Sequence, residues 1–201
     1  MIYFGREMKF ALPADTGARD DVYLEHQLVW DAAEAFLDVP KVELSGRYLQ
    51  SGKLFQFHTD WTCRNMATVT LRSAKLKRAV GKARSTPLSG RFSLTACPMD
   101  DETRPDGRRR RTAITTRSGM MQWFCDRAHR GMGILVKELA IDDAEWRIGI
   151  KQDTPPMKFW MTTYSGRFVV ADVETFSSAL HNGIGHARRF GSGMLRISQD
   201  A

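Results

Sequence analysis

Cysteine is scarce in this sequence and the few that occur are scattered. The 201 residues include Cys63, Cys97 and Cys125, with no CxxC arrangement among them. The odd number and the wide spacing exclude a CxxC metal or redox pair and are typical of a reducing compartment. The three thiols are therefore expected to act as small buried hydrophobic residues.

Long apolar runs are missing as well. Arg6 and Glu7 interrupt the apolar opening stretch, so it lacks the hydrophobic region of a secretory signal peptide. No run in the chain is long enough to span a bilayer. These absences and the cysteine usage predict a cytoplasmic protein. The composition, 42% hydrophobic and 26% charged, is that of a folded globular chain.

Acidic residues are absent from Trp61 to Met99, where eight lysines and arginines fall. This window carries about the whole net charge of +7, which favours a polyanionic partner such as a nucleic acid. A second basic cluster follows a Pro-Asp-Gly turn signal and consists of Arg108, Arg109, Arg110 and Arg111. On a loop or hairpin tip, these arginines would reach the phosphates of a duplex groove, or they would form a solvated charged loop. The acidic stretch 100–103 is expected to lie in a loop and to balance their charge rather than bind Mg²⁺.

The first half of the chain shows a β-α-β-β pattern. Alternating residues predict a strand over 2–12, and Asp20 or Asp21 would cap a helix that runs to about Leu37. The stretch 41–60 predicts two strands around a Ser-Gly turn, and 66–76 predicts a further strand. The Gly/Pro/Ser-containing stretch 81–90 resembles a linker, which places a domain boundary near residue 86.

The second half returns to the same alternation of strands and helices. RFSLTACP and RRRTAITT predict two strands that pair, and Ser118 would cap the helix that follows them. EWRIGIKQ and FWMTTYSGRFVVAD predict strands, VETFSSALHNGIG a helix stopped by glycine, and RFGSGMLRIS a last strand. The order predicts an α+β fold of two tandem ferredoxin-like βαββαβ domains, which resemble RNA-recognition motifs, over 1–86 and 87–201.

The closing segment GIGHARRFGSGML is rich in glycine but does not fit a nucleotide-binding loop. Such a loop leads from a strand into a helix, whereas the order here is helix to strand, and no Gly-Lys-Ser/Thr follows. Two interpretations remain. In the first, the glycines cap a helix and reduce side-chain crowding in the strand that follows. In the second, they form a close turn that holds an RNA backbone, and His186, Arg188 and Arg189 add positive charge.

The segment VYLEHQLVW places Tyr23, His26 and Trp30 on one helical face, because they are three and four positions apart. RNA carries its own nucleophile, the 2′-hydroxyl, so cutting it without a metal requires a base, an acid and stabilisation of charge on phosphorus. Histidine can serve either proton role near neutral pH. Tyr23 and His26 also suit packing and capping of a helix. The remaining histidines lack metal-ligand spacing, so neither a metal nor a cofactor is predicted.

Four segments in order, VYLEHQLVW, RFSLTACP, FWMTTYSGRFVVADVETF and GIGHARRFGSGML, resemble the CasE-type CRISPR repeat-processing endoribonucleases, the crRNA-maturing subunit of Cascade. The resemblance spans nearly the whole chain, and the glycine-rich segment is its most specific part. It implies a metal-independent cut at the base of a repeat hairpin, leaving 5′-hydroxyl and 2′,3′-cyclic phosphate ends. It also implies retention of the mature crRNA within an effector complex of other CRISPR subunits, of type I-E or a type IV relative.

The resemblance further implies roles for individual residues. Tyr23 and His26 would be catalytic, without an assignment of which is the base. The residues expected to bind RNA are Arg108, Arg109, Arg110, Arg111, Lys158, Gly185, Arg188, Arg189, Gly191 and Gly193. The alternative is a non-catalytic hairpin-RNA-binding module of a ribonucleoprotein, although the RNA-recognition-motif strand signature is missing from the sequence. A third possibility is a general ribonuclease that cuts unstructured RNA with many turnovers.

Overall fold

The structure is a computed structural model that describes residues 4–10, 21–37, 46–48, 54–58, 79–85, 87–103, 105, 107 and 109–198. The predictions for Cys63, for Arg108 and for a strand over 66–76 lie outside the described residues.

The first half forms one antiparallel sheet. Its strands are β1 (Phe4–Phe10), β2 (Gly46–Tyr48), β3 (Leu54–His58) and β4 (Ala79–Ser85), in the order β2-β3-β1-β4. Helix α1 (Val22–Leu37) lies between β1 and β2 in the chain. The predicted helix end at Leu37 is confirmed. The stretch predicted as a linker is largely strand, since its first five residues, 81–85, pair with β1 along the sheet edge.

The second half folds around one apolar core. Along the chain it contains β5 (Ser89–Ala96), β6 (Met99–Thr103), β7 (Arg109–Ala113), α2 (Arg117–Gly131), β8 (Ile134–Gly149), β9 (Met157–Val170), α3 (Val173–Asn182) and β10 (Leu195–Ser198). Four of the strands form a sheet in the order β10-β5-β9-β8. Strand, helix, two strands, helix and strand in this order give the predicted ferredoxin-like fold, with β6 and β7 inserted as a separate hairpin. The predicted division of the chain at residue 86 stays a prediction.

Aromatic rings fill the space between this sheet and its two helices. Phe92 stacks on Phe124 at 5.1 Å between ring centroids, and Phe124 lies 4.8 Å from Tyr164. On the other side Phe168 packs against Phe176 at 5.2 Å. All five side chains are buried, so the sheet and both helices are held by one contiguous apolar core.

Several local predictions are wrong for physical reasons. RFSLTACP does not pair with RRRTAITT, because β5 bonds to β9 and β10 while β7 bonds to β6. The acidic stretch 100–103 is therefore part of a strand and not a loop. Thr116, not Ser118, caps α2, since its hydroxyl accepts a hydrogen bond from the Gly119 amide at 3.3 Å. The last strand begins only at Leu195.

The cysteine prediction is confirmed at one position and wrong at another. Cys97 is buried, and burial raises the pKa of its thiol to about 11. Cys125 is exposed on α2. A helix that covers a sheet buries only one face, so a thiol on its outer face stays in water.

Candidate active site

Helix α1 begins at a capping carboxylate that also binds the second half of the chain. Asp21 Oδ1 accepts hydrogen bonds from the Tyr23 amide at 2.8 Å and from the Leu24 amide at 3.4 Å. The same oxygen accepts from the Ile150 amide, just beyond β8, at 3.2 Å. Of the two predicted candidates, Asp20 and Asp21, the capping residue is therefore Asp21. One oxygen satisfies the helix start and ties it to the end of β8.

Tyr23 and His26 lie one turn apart in the first turns of α1, and both are partly buried. The His26 ring meets the Trp30 ring edge to face, with 5.9 Å between centroids. The predicted shared face of His26 and Trp30 is therefore confirmed. Since the helix keeps Tyr23 within one turn of His26, a hydroxyl and an imidazole stand on neighbouring parts of one surface.

The glycine-rich segment reaches this surface through Phe190. Residues Arg188–Phe190 form a single 3-10 turn, and the Phe190 ring lies 5.8 Å from the His26 ring. Phe190 also packs on Phe159 of β9 at 5.0 Å. A loop near the C-terminus and a helix near the N-terminus are thus brought together at His26. Arg188 and Arg189 precede Phe190 and are exposed beside it.

Glycine makes the tight course of this loop possible. Gly193 has φ 81°, donates its amide to the Thr95 carbonyl at 2.6 Å, and accepts from the Ile184 amide at 2.9 Å. A Cβ at Gly193 would lie 2.5 Å from the Ile184 carbonyl oxygen. Gly185 and Gly191 share the left-handed conformation, each with φ 77°. Only glycine adopts such a backbone at low cost, so these residues shape the loop that presents the arginines.

The helix-capping interpretation is confirmed for Gly183, whereas a glycine turn that holds an RNA backbone stays a prediction. Gly183 follows α3, has φ 71°, and donates its amide to the Ala179 carbonyl at 2.9 Å. Arg188 then reaches back and donates from Nη1 to the Asn182 carbonyl at 2.9 Å. One glycine therefore ends the helix, and the others shape the loop that follows it.

The arginine cluster lies on the β6–β7 hairpin. Arg109, Arg110 and Arg111 belong to β7, where Arg110 stands opposite Glu102 and Arg111 opposite Asp101. Arg111 Nε donates to Asp101 Oδ1 at 3.1 Å. The predicted charge balance by the acidic stretch is thus confirmed for this pair. Both side chains are about half exposed, so the contact is worth at most about 1 kcal/mol and leaves Arg111 available to a phosphate.

The charges of the hairpin, α2 and the glycine-rich loop all act on His186. Its pKa is lowered, first by burial and then by the positive charges of Arg111, Arg127 and Arg188, while Asp101 opposes the shift. Arg127 comes from α2, where its guanidinium lies 5.9 Å from the Trp123 ring centroid. Two of the arginines predicted to bind RNA, Arg111 and Arg188, therefore share one electropositive region. Arg127 was not predicted.

Lys158 is exposed on β9 but points away from the His26 surface. Its neighbour Phe159 faces Phe190, and successive side chains of a strand point to opposite faces of the sheet. Lys158 therefore lies on the opposite side of the strand, across from Ile148 of β8. The structure does not bring it together with the arginines of the loop.

A buried ion pair at the site has no counterpart in the sequence prediction. Glu25 lies between Tyr23 and His26, and its Oε2 is 3.4 Å from Arg147 Nη2 on β8. Arg147 Nη1 also contacts Glu145 Oε1 at 3.3 Å. The two partners are 122 residues apart in the chain, and no local sequence pattern predicts a contact between them.

The described part of the chain shows neither a metal cluster nor a membrane span. Among the described residues, no group of three or more His, Cys, Asp and Glu side chains is placed to hold a metal ion. None of the described helices is long and apolar enough to cross a membrane.

Comparison with known proteins decides the family. The family model described as CRISPR associated protein matches residues 8–199. The chain belongs to this family. No curated protein sequence matches it.

Solved structures agree with this membership. The fold is similar to that of CRISPR endoribonuclease Cse3 bound to a 19-nt RNA, with TM-score 0.75 and 18% identity over 98% of each chain. It is also similar to the CRISPR-associated protein Cas6e from Escherichia coli K-12, with TM-score 0.60 and 16% identity over 98% of this chain and 100% of the other. A third similar chain belongs to a CRISPR RNA-guided surveillance complex, with TM-score 0.56 and 14% identity over 98% and 100%. The predicted membership of a CRISPR-associated family is confirmed, and the fold is that of these structures.

Proposed function

We propose that this family member is a metal-independent endoribonuclease that cleaves CRISPR precursor RNA at the base of the repeat hairpin. It would leave 5′-hydroxyl and 2′,3′-cyclic phosphate ends and keep the mature crRNA within an effector complex in the cytoplasm. One observation carries the proposal: the His26 ring, one turn from Tyr23, packs at 5.8 Å against a loop whose exposed arginines flank it. A proton-transfer group thus stands beside positive charge on a surface open to RNA.

The chemistry needs only groups that these residues and the RNA supply. The 2′-oxygen before the scissile phosphate forms a bond to phosphorus while the bond to the 5′-oxygen breaks. A base removes the 2′-proton, and an acid gives a proton to the departing 5′-oxygen. Tyr23 and His26 are the candidates for these two roles. Arg188 and Arg189 would stabilise the charge that gathers on the phosphate oxygens.

Binding of the RNA hairpin would use the remaining basic surface. Arg110 and Arg111 belong to the β6–β7 hairpin, and the charges of Arg111, Arg127 and Arg188 all act on the pKa of His186. A-form RNA is recognised mainly through its shape and backbone, which suits arginines on a projecting hairpin. A similar structure holding a 19-nt RNA and another within a surveillance complex support this assignment of partners.

Cleavage in EDTA of synthetic CRISPR-repeat hairpin RNAs tests the proposal. We expect products with 2′,3′-cyclic phosphate ends, and no cut when the nucleotide before the scissile phosphate is 2′-deoxy. His26→Ala should slow the cut by about 100- to 10,000-fold, because that is the range general acid–base groups contribute, and Tyr23→Phe should slow it less. RNA affinity should survive in both variants.

His129→Ala is the matched control, since His129 is exposed at the end of α2 and far along the chain from the site. It should cleave like the unmodified protein. Tight hairpin binding without any cut would instead establish the non-catalytic RNA-binding module, and cutting of unstructured RNA with many turnovers would establish a general ribonuclease.

A further inference from the structure

A tryptophan stands largely in water on the outermost strand of the second sheet. Trp146 of β8 is 52% exposed, although tryptophan is on average well buried in folded proteins. It lies opposite Trp160 of β9, with ring centroids 5.3 Å apart in an edge-to-face arrangement. The next pair on the same face is Ile148, 39% exposed, and the exposed Lys158. These four residues are called the Trp146 platform.

The platform is anchored from below. Trp160 donates its indole N–H to the Met120 sulfur at 3.3 Å, and the Thr162 hydroxyl donates to the same sulfur at 3.1 Å. Met120 belongs to the first turns of α2, so the positive end of that helix lies beside the platform. Exposed Arg117 begins the same helix. A fixed aromatic surface is thus set in a locally positive environment.

The platform lies across the sheet from the candidate active site. Arg147 faces α1 through its contact with Glu25, and its neighbour Trp146 therefore points to the opposite face of β8. Since β8 is the outermost strand in the sheet order, only the width of that strand separates the two faces. An RNA strand that leaves the His26 surface would reach the platform by passing around this edge.

We propose that the Trp146 platform stacks an unpaired nucleobase that flanks the bound hairpin, while Lys158 contacts the adjoining phosphate. The inference rests on the proposed function, because it assumes that an RNA hairpin occupies the neighbouring surface. Stacking on an indole is open to every base, so the platform would add affinity for single-stranded flanks without strong sequence preference. It also gives Lys158 a role that its position away from His26 would otherwise leave unexplained.

A protein partner is the rival occupant, since tryptophan is enriched at protein interfaces. The charges favour RNA. None of the four platform residues is acidic, and Lys158, Arg117 and the start of α2 all contribute positive charge. A phosphate next to a stacked base complements this positively charged arrangement.

Binding of three synthetic RNAs tests the proposal. One is a blunt repeat hairpin, and the others carry a six-nucleotide single-stranded flank at the 5′ or the 3′ side. Trp146→Ala should weaken binding of a flanked RNA by about 10- to 100-fold and leave the blunt hairpin unchanged, because base stacking on one aromatic side chain is worth that much. Trp146→Phe should lose far less. Leu135→Ala, an exposed apolar residue at the other end of β8, is the matched control.

The outcomes separate the inference from the function on which it rests. If the unmodified protein binds neither blunt nor flanked hairpins, both fail. If it binds and cuts the hairpin but Trp146→Ala leaves flanked and blunt RNAs equally bound, only the platform assignment is overturned. If the variant binds every RNA normally yet no longer assembles with purified effector-complex subunits, the platform is a protein-docking surface and the proposal is wrong. Quenching of indole fluorescence by a flanked RNA, lost in Trp146→Phe, would support stacking directly.

Discussion

The Glu25 carboxylate of α1 contacts the Arg147 guanidinium of β8 at 3.4 Å, with only 4% and 16% of the two side chains exposed. Because Glu25 stands between Tyr23 and His26, this contact fixes the rotation of the helix on which both lie. Arg147 is held in turn by Glu145. The orientation of the candidate catalytic pair therefore depends on a residue more than a hundred positions away.

Removal of one partner of this buried pair should be costly. Arg147→Met leaves the Glu25 carboxylate buried without the guanidinium, so we expect a loss of about 3–5 kcal/mol in the free energy of unfolding. Urea denaturation measures it as a lower midpoint at unchanged slope. Arg167→Met is the control, since Arg167 and Glu138 are 3.9 Å apart and 45% and 66% exposed. That change should cost less than about 1 kcal/mol. Equal losses in both variants would show that the buried Glu25–Arg147 pair contributes no more to the free energy of unfolding than the exposed pair.

The fold of the glycine-rich loop should depend on the missing Cβ at Gly193. Gly193→Ala combines a strained φ of 81° with a contact of 2.5 Å to the Ile184 carbonyl. Gly107→Ala has a similar φ of 76° but no atom within 4 Å of its Cβ. The control isolates the conformational cost, about 1–2 kcal/mol for a left-handed residue. Thermal unfolding should show a larger loss for Gly193→Ala, together with slower RNA cleavage. Equal losses would mean that crowding at Gly193 is relieved by small shifts.

Sequence patterns predicted the elements whose signals are local. α1 was predicted because an aspartate cap at residue 20 or 21 precedes its apolar run, and α3 because glycine ends it, at Gly183. The Asp172 cap at the start of α3 was not predicted. The first part of β8, residues 134–144, was missed, since its paired aspartates Asp142 and Asp143 argue against a strand. Pairing with β9 over the whole length of β8 overrides that local preference.

The candidate site likewise combines contacts that residue spacing predicts with contacts that it does not. The spacing of Tyr23, His26 and Trp30 is a local property, and it predicted their common face correctly for His26 and Trp30. The meeting of His26 with Phe190 is not local, because the two residues are far apart in the chain and the sheet of β5, β9 and β10 sets the position of the loop. Contacts of that kind follow from topology, which residue spacing does not encode.

His186 should couple RNA binding to pH. Burial and the charges of Arg111, Arg127 and Arg188 lower its pKa below the ordinary 6.5, with Asp101 opposing. The unfolded chain therefore binds this proton more readily, so the folded protein loses stability as the pH falls through about 6.5. A phosphate bound among these arginines would favour the imidazolium and raise the pKa. RNA affinity should thus increase as the pH falls from about 7.5 to about 5.5.

Titration of the His186 ring protons by NMR, with and without hairpin RNA, measures this coupling. The pKa should rise on binding. His186→Gln should flatten the dependence of RNA affinity on pH. Because the variant keeps the other four histidines, any difference from the unmodified protein reports on His186. An unchanged His186 titration in the complex would place the phosphates elsewhere.

Phe190 should position His26 without touching the RNA chemistry itself. Its ring lies between His26 at 5.8 Å and Phe159 at 5.0 Å, and Phe190→Ala would remove both contacts. We expect a lower single-turnover cleavage rate with little change in hairpin affinity, because Arg188 and Arg189 remain in place. Phe190→Tyr keeps the ring and should retain most of the rate. If Phe190 acts through His26, then adding Phe190→Ala to His26→Ala should slow the reaction no further, since the effects of residues that act as a unit are not additive. A double variant slower by the product of the two single effects would give Phe190 a role independent of the imidazole.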